Sequence, residues 1–168
     1  MDLKKISYRP YSDADFEKVF IIFYKFQDKV EIQTYKNMTE GHSDAFRIRY
    51  LITEFGDIIR KNPYKYVGLD ENDEIIGFAC FKDSEKFKNE IELVLTFKDE
   101  KISYHSFLGS LLKNGVKKEF PNKRIFAILN QRAKFEKYLN FLKKRFNAKV
   151  LTKDSFGNLY VEFKNEDM

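Results

Sequence analysis

Apolar residues recur along this chain with two periods, and the alternation between them predicts its elements. Ile6, Tyr8 and Pro10 alternate with polar neighbours and predict a first strand, which Pro10 ends at a sheet edge. Behind Ser12 and Asp15, a capping box with Asp in place of Glu, Phe16, Val19, Phe20, Phe23, Phe26 and Val30 repeat at helical spacing. A second helix carries Ile48, Leu51, Ile52, Phe55, Ile58 and Ile59 on one stripe and stops at Asn62-Pro63. "YKYVGLDENDEIIGFACFKD" predicts a hairpin about the polar turn "DEND". In the strand "EIELVLTF", Ile91, Leu93, Leu95 and Phe97 share one face, while Glu90, Glu92, Val94 and Thr96 point the other way.

The helix opened by Ser103 carries Phe107, Leu108, Leu111, Leu112 and Val116, and "KRIFAILN" follows as a buried strand. A last helix places Phe135, Tyr138, Leu139, Leu142 and Phe146 on one stripe. "AKVLTKD" and "NLYVEFK" close the chain as a hairpin about "SFG". The predicted order is βααβββαβαββ. The fold class is α/β (α+β): a mixed, mostly antiparallel six- to seven-stranded sheet with helices on both faces. With no linker or repeat, residues 1–168 read as one domain.

Composition adds three constraints. The core is aromatic-rich, since 18 Phe and 10 Tyr stand beside no Trp. Cys80 alone excludes an internal disulfide framework, and its apolar setting "IIGFAC" predicts an inert core thiol in a reducing, cytoplasmic compartment. No apolar run reaches membrane-spanning length, and "MDLKKISYRP" lacks the apolar region of a signal peptide. The Lys and Phe bias suits an AT-rich coding genome, such as that of a low-GC bacterium or a phage. The charge of +5 is uneven: residues 113–149 hold twelve Lys or Arg against two Glu. Such a block is a solvated helical face or a surface for phosphates, nucleic acid or an acidic partner.

The element order and two local stretches, "FLGSLL" at 107–112 and "LNQRAKFEKYL" at 129–139, resemble the GCN5-related N-acetyltransferase (GNAT) family. In the second stretch Asn130, Ala133, Phe135 and Tyr138 match the family's pattern. The spacing to Tyr138 is about one residue longer than the family's. The resemblance covers roughly Ile6 to Phe163 and implies acetyl-CoA held between "IELVLTF" and "RIFAILN". It implies coenzyme contacts at Val94, Leu95, Ser103, His105, Ser106 and Asn130, with Lys113, Lys117 and Lys118 near the coenzyme phosphates. It also implies Glu92 as base, with Glu90 second, and Tyr138 as the acid that protonates the thiolate. The alternatives from the residues alone are a solvent-facing Glu92 and a core-packed Tyr138.

The chain departs from the family at the pyrophosphate loop. Where the family has Arg or Gln, two residues, Gly, one residue and Gly or Ala, this chain has "SYHSFLG" at 103–109. Glycines there permit positive φ and close approach of backbone to phosphate. A helix start alone still offers unpaired amides to an anion. His42 and His105 lie on separate elements, and no metal site is expected. Residues 28–44 would border the acceptor, with Tyr35, Met38 and His42 as contacts. Three readings stay open: an acyl-CoA-dependent N-acyltransferase acting on a small-molecule or peptide amine; an inactive GNAT-fold binding or structural protein, phage-encoded or virion-associated; and a nucleic-acid-binding module using residues 113–149.

Overall fold

Local signals set most element boundaries in the computed structural model, which describes residues 6–29, 40–85, 87–129, 135–155 and 157–163. β1 (Ser7–Pro10) ends at its proline on the sheet edge. The Asp15 carboxylate accepts the Ser12 backbone N–H at 2.9 Å, as the expected capping box requires. It also takes both arms of the Arg9 guanidinium at 2.7 and 2.8 Å. After a 3₁₀ turn at Asp13–Asp15 comes α1 (Phe16–Lys29). α2 (Asp44–Lys61) starts at Ser43, whose hydroxyl accepts the Phe46 N–H. It ends at Asn62, whose side chain donates to the Ile58 carbonyl at 2.7 Å.

β2 (Tyr64–Leu69) and β3 (Ile75–Asp83) form the expected hairpin, with Asp73 at φ 61° in its turn. β4 (Glu90–Lys98) leads to α3 (Tyr104–Ser110), which widens into a π-helical turn at Leu111–Val116 and ends with Lys117–Glu119. β5 (Arg124–Leu129), α4 (Phe135–Phe146), β6 (Lys149–Lys153) and β7 (Leu159–Phe163) complete the expected order.

All seven strands join one sheet, ordered β1-β2-β3-β4-β5-β7-β6. Among the described strands only β4 and β5 pair in parallel. Helices cover both faces, each with its own core. One core packs α1 and α2 through Phe23, Leu51 and Phe55 onto Val67, Phe78, Cys80 and Phe97. The other packs α3, its π turn and α4 through Leu108, Leu111, Leu112, Leu142 and Phe146 onto Phe81, Ile91, Leu93, Ile125 and Val161. Cys80 is fully buried, and burial pushes its thiol up to about 12, as befits an inert core residue.

Two expectations are corrected. The α2 stripe is narrower than six residues: Leu51, Phe55 and Ile59 are buried, but Ile48 and Ile52 are exposed at the stripe's edge. The four odd-numbered apolar residues of β4 do not share a face. Ile91 and Leu93 enter the α3/α4 core, whereas Leu95 and Phe97 pack on the α1/α2 side. A bulge between them causes the switch: Cys80 pairs with Leu95 and Phe81 with Leu93, so Val94 is the extra residue.

Candidate functional site

The bulge lies where β4 and β5 part. Their parallel pairing runs from Glu90↔Arg124 to Leu93↔Ala127 and stops there. β4 continues to Lys98 with β3 as its ladder neighbour, and β5 continues to Leu129 paired with β7. The two strands thus open from Val94 onward, with a stretch of the β4 edge facing the gap. An open edge presents backbone N–H and C=O groups to an extended, amide-bearing ligand. Val94 is 37% exposed at this point. Leu95 is partly buried against the α1/α2 core.

Glu92 stands two residues before the bulge, and strand alternation turns it to the face of Cys80 and Lys82. Its side chain is 14% exposed, with the Lys82 Nζ 3.6 Å from its Oε2. Burial holds the Glu92 carboxyl above its ordinary range, and Lys82 pulls it partway back. A carboxylate pushed up in this way holds a proton more readily than one in water, as a general base must. Lys82 was not expected at the site; the hairpin register that places it opposite Glu92 is its only trace in the sequence.

Glu90, on the same face, is more deeply buried. Its Oε1 is 3.6 Å from the Arg124 Nε, and its Oε2 is buried with no hydrogen-bond partner. Burial raises its carboxyl pKa above the usual value, against the pull of Arg124. Arg124 also binds Glu162 at 3.2 Å, so Glu90 belongs to a charge cluster at the start of the parallel pair rather than at the gap.

At the other end of β4 lies the turn into α3. Ser103 is the N-cap: its Oγ accepts the Ser106 N–H at 3.1 Å and donates to the Ser106 Oγ at 2.8 Å. Asp99 folds the preceding turn, its carboxylate accepting the Lys101 N–H at 3.0 Å and its carbonyl the Ile102 N–H at 3.2 Å. No residue from Asp99 to Phe107 has positive φ. His105 sits in the first turn of α3, and its side chain lies outside the described residues.

Other expected residues fall away from this point. Lys113, Lys117 and Lys118 follow Ser103 by ten or more residues, about 15 Å of helical rise, so they do not share its turn. Tyr138 is on α4, but its side chain lies outside the described residues, as do Asn130, Ala133, Tyr35 and Met38 entirely. His42 is exposed and stacks on Phe46 at 4.1 Å between ring centroids. Phe146 is buried and Phe141 packs against the same core, which withdraws both rings from base stacking. Among the described residues no cluster of three His, Cys, Asp or Glu could hold a metal ion. No described helix is long and apolar enough to cross a membrane.

No protein-family model matches the sequence, and no curated protein matches it. Solved structures do. A PaiA N-acetyltransferase from Thermoplasma acidophilum, in complex with coenzyme A, superposes with TM-score 0.63 at 16% identity, over 95% of this chain and 99% of that one. The fold is that of the GNAT acetyltransferases. A GNAT-family acetyltransferase from Staphylococcus aureus gives TM-score 0.59 at 15% identity, over 95% of this chain and 100% of the other. An acetyltransferase from Thermus thermophilus gives 0.60 at 13%, over 98% and 99%. At such identities the likeness establishes the GNAT fold and leaves activity to the residues.

The residues divide in their fit to acyl-CoA, the coenzyme this fold implies. The open β4 edge and its bulge suit the acyl-pantetheine end. The β4–α3 turn suits the pyrophosphate less well, because the amides of Lys101, Ile102, Ser106 and Phe107 serve protein acceptors and no residue there has the positive φ of an anion nest.

Proposed function

We propose that this protein is an N-acyltransferase that moves an acyl group from an acyl-CoA-type thioester to an amine. The observation that carries the reading is the coincidence of three features on three consecutive residues of β4: an exposed bulge at Val94, the end of parallel pairing at Leu93, and a partly buried carboxylate of raised pKa at Glu92.

The bound donor supplies an activated acyl thioester. On this reading the β4 edge at Val94 and Leu95 aligns the donor's amides and its acyl carbonyl. Glu92 accepts the proton that the acceptor ammonium must lose before its nitrogen can attack, and the proton rests on a Glu92 oxygen. Lys82, 3.6 Å away, favours the ionised form of that carboxylate against its burial. Tyr138 is the proposed acid for the departing thiolate, and Asn130 and the first turn of α3, with Ser103, His105 and Ser106, border the donor. Acyl-CoA and an amine are thus the proposed ligands.

A second reading is a chain that keeps the fold, has lost transfer, and binds a protein partner. The closed β4–α3 turn favours it. The deciding experiment is a thiol-release assay with acetyl-CoA across a panel of primary amines and peptides. The expected result is amine-dependent release that Glu92→Gln lowers by about 10²–10⁴ in kcat. Transfer that survives Glu92→Gln unchanged would remove Glu92 from its role, and no release with any acceptor would favour the second reading.

A further inference from the structure

The turn between β4 and α3 is in part folded on itself. Of its backbone amides, that of Asp99 donates to the Ile76 carbonyl at 2.7 Å, and those of Lys101 and Ile102 to Asp99. The amide of Ser106 donates to the Ser103 hydroxyl and that of Phe107 to the Ser103 carbonyl at 3.0 Å. The Asp99 carboxylate and the Ser103 hydroxyl therefore take donors that a phosphate would need. A carboxylate inside the turn also repels a second anion. Of the nearby cations, Lys98 donates its Nζ to the Asp99 carbonyl at 3.3 Å and Lys101 is exposed to solvent screening.

The turn is also fixed in place. The Phe107 ring lies so close over the β2 and β3 backbones that a Cβ on Gly68 would stand 2.6 Å from it, and one on Gly77 2.4 Å. These two glycines are required by that approach. The Tyr8 hydroxyl donates to the Phe107 carbonyl at 2.7 Å from β1, and Phe107 and Leu108 are fully buried. The first turn of α3 is thus held to the sheet by a buried ring and a hydrogen bond. It cannot lift to expose its amides without opening that packing.

We propose that the donor site recognises the acyl-pantetheine thioester and that the nucleotide-pyrophosphate end adds little to binding. This rests on the acyltransferase reading and goes beyond it: the donor class is an acylated pantetheine, whatever phosphate carries it. Specificity then comes from the open β4 edge after Leu93 and not from the start of α3.

Calorimetric titration of the intact protein with S-acetylpantetheine and, separately, acetyl-CoA tests this directly. Two charge-assisted hydrogen bonds to phosphate would be worth about a hundredfold in Kd. The expected result is that the two dissociation constants agree within about tenfold. Acetyl-CoA binding tighter by more than that would overturn the proposal while leaving the acyltransferase reading intact. Binding of neither compound would overturn both. As an independent arm, 3′-phospho-ADP is added to the S-acetylpantetheine complex. No displacement at millimolar concentration is expected, and displacement at micromolar concentration would show a working phosphate cradle and overturn the proposal.

Discussion

The middle of β4 and the turn that follows it have opposite character. At Val94 the strand bulges, loses its parallel neighbour and leaves an edge open. A few residues on, from Asp99 to Phe107, the chain closes on itself through Asp99 and Ser103 and is seated by Phe107 over two glycines. On the proposed reading both places would face the donor. If the proposal holds, the contrast teaches that one fold can keep the thioester end of a donor site while ordinary helix capping takes over at its phosphate end. Capping by Ser is worth about 1 kcal/mol to the helix, so the closure also stabilises α3.

The seat of α3 is where the comparison breaks most readily. Gly77→Ala would place a Cβ 2.4 Å from the Phe107 ring and 2.9 Å from the Phe97 carbonyl, and neither can move freely. A loss of about 3 kcal/mol is expected in chemical denaturation. A loss below about 1 kcal/mol would mean the turn is loosely held, and the contrast with the bulge would weaken.

The start of α1 offers a control for self-capping. There the paired Arg9 guanidinium lowers the Asp15 carboxyl to about 2. A depressed folded pKa gives stability that is present above the unfolded value and is lost as pH falls through about 2. Arg9→Met should therefore cost about 1 kcal/mol at pH 7, with the half-exposed guanidinium discounted, and the difference should vanish near pH 2. Thermal melts across that range would show it; a pH-independent difference would contradict the assignment.

At the bulge end, Lys82→Met should raise the Glu92 pKa further, because it removes the charge that opposes burial. A base must be deprotonated, so activity falls as pH drops through that pKa. The acidic limb of kcat/KM should then move to higher pH. A limb that stays put would separate Lys82 from the base.

The smallest effect is expected at Glu90. Its raised folded pKa means its burial is least unfavourable below the unfolded value of 4.5, and that advantage is lost as pH rises through the folded value. Glu90→Gln should stabilise the protein at pH 7 by up to about 1 kcal/mol, with no gain below about pH 4. Destabilisation at pH 7 would show that the Arg124 pairing outweighs the desolvation.

The order of elements was legible because apolar period and breakers mark it plainly: Ser12, Asn62-Pro63 and the "DEND" turn all act where expected. The face switch in β4 was not. Ile91, Leu93, Leu95 and Phe97 are apolar at every odd position, and helices cover both sheet faces, so a strand that crosses from one core to the other keeps the same pattern. The π turn was hidden for a related reason: Leu111 and Val116 are both fully buried at a spacing of five, which a list of apolar residues does not distinguish from helical spacing. The missing glycines of the β4–α3 turn could be read directly, but the Asp99 and Ser103 contacts that close it depend on geometry. Glu92 was readable as a residue, and its burial and its partner Lys82 were not.

The measurement that tests the central claim most directly is amide chemical-shift mapping of ¹⁵N-labelled protein titrated with acetyl-CoA. If the donor thioester lies along the open edge of β4, the largest changes fall on Val94 to Thr96, with small ones from Glu100 to Phe107. Larger changes in the β4–α3 turn than at the bulge, or none anywhere at saturating coenzyme, would contradict it.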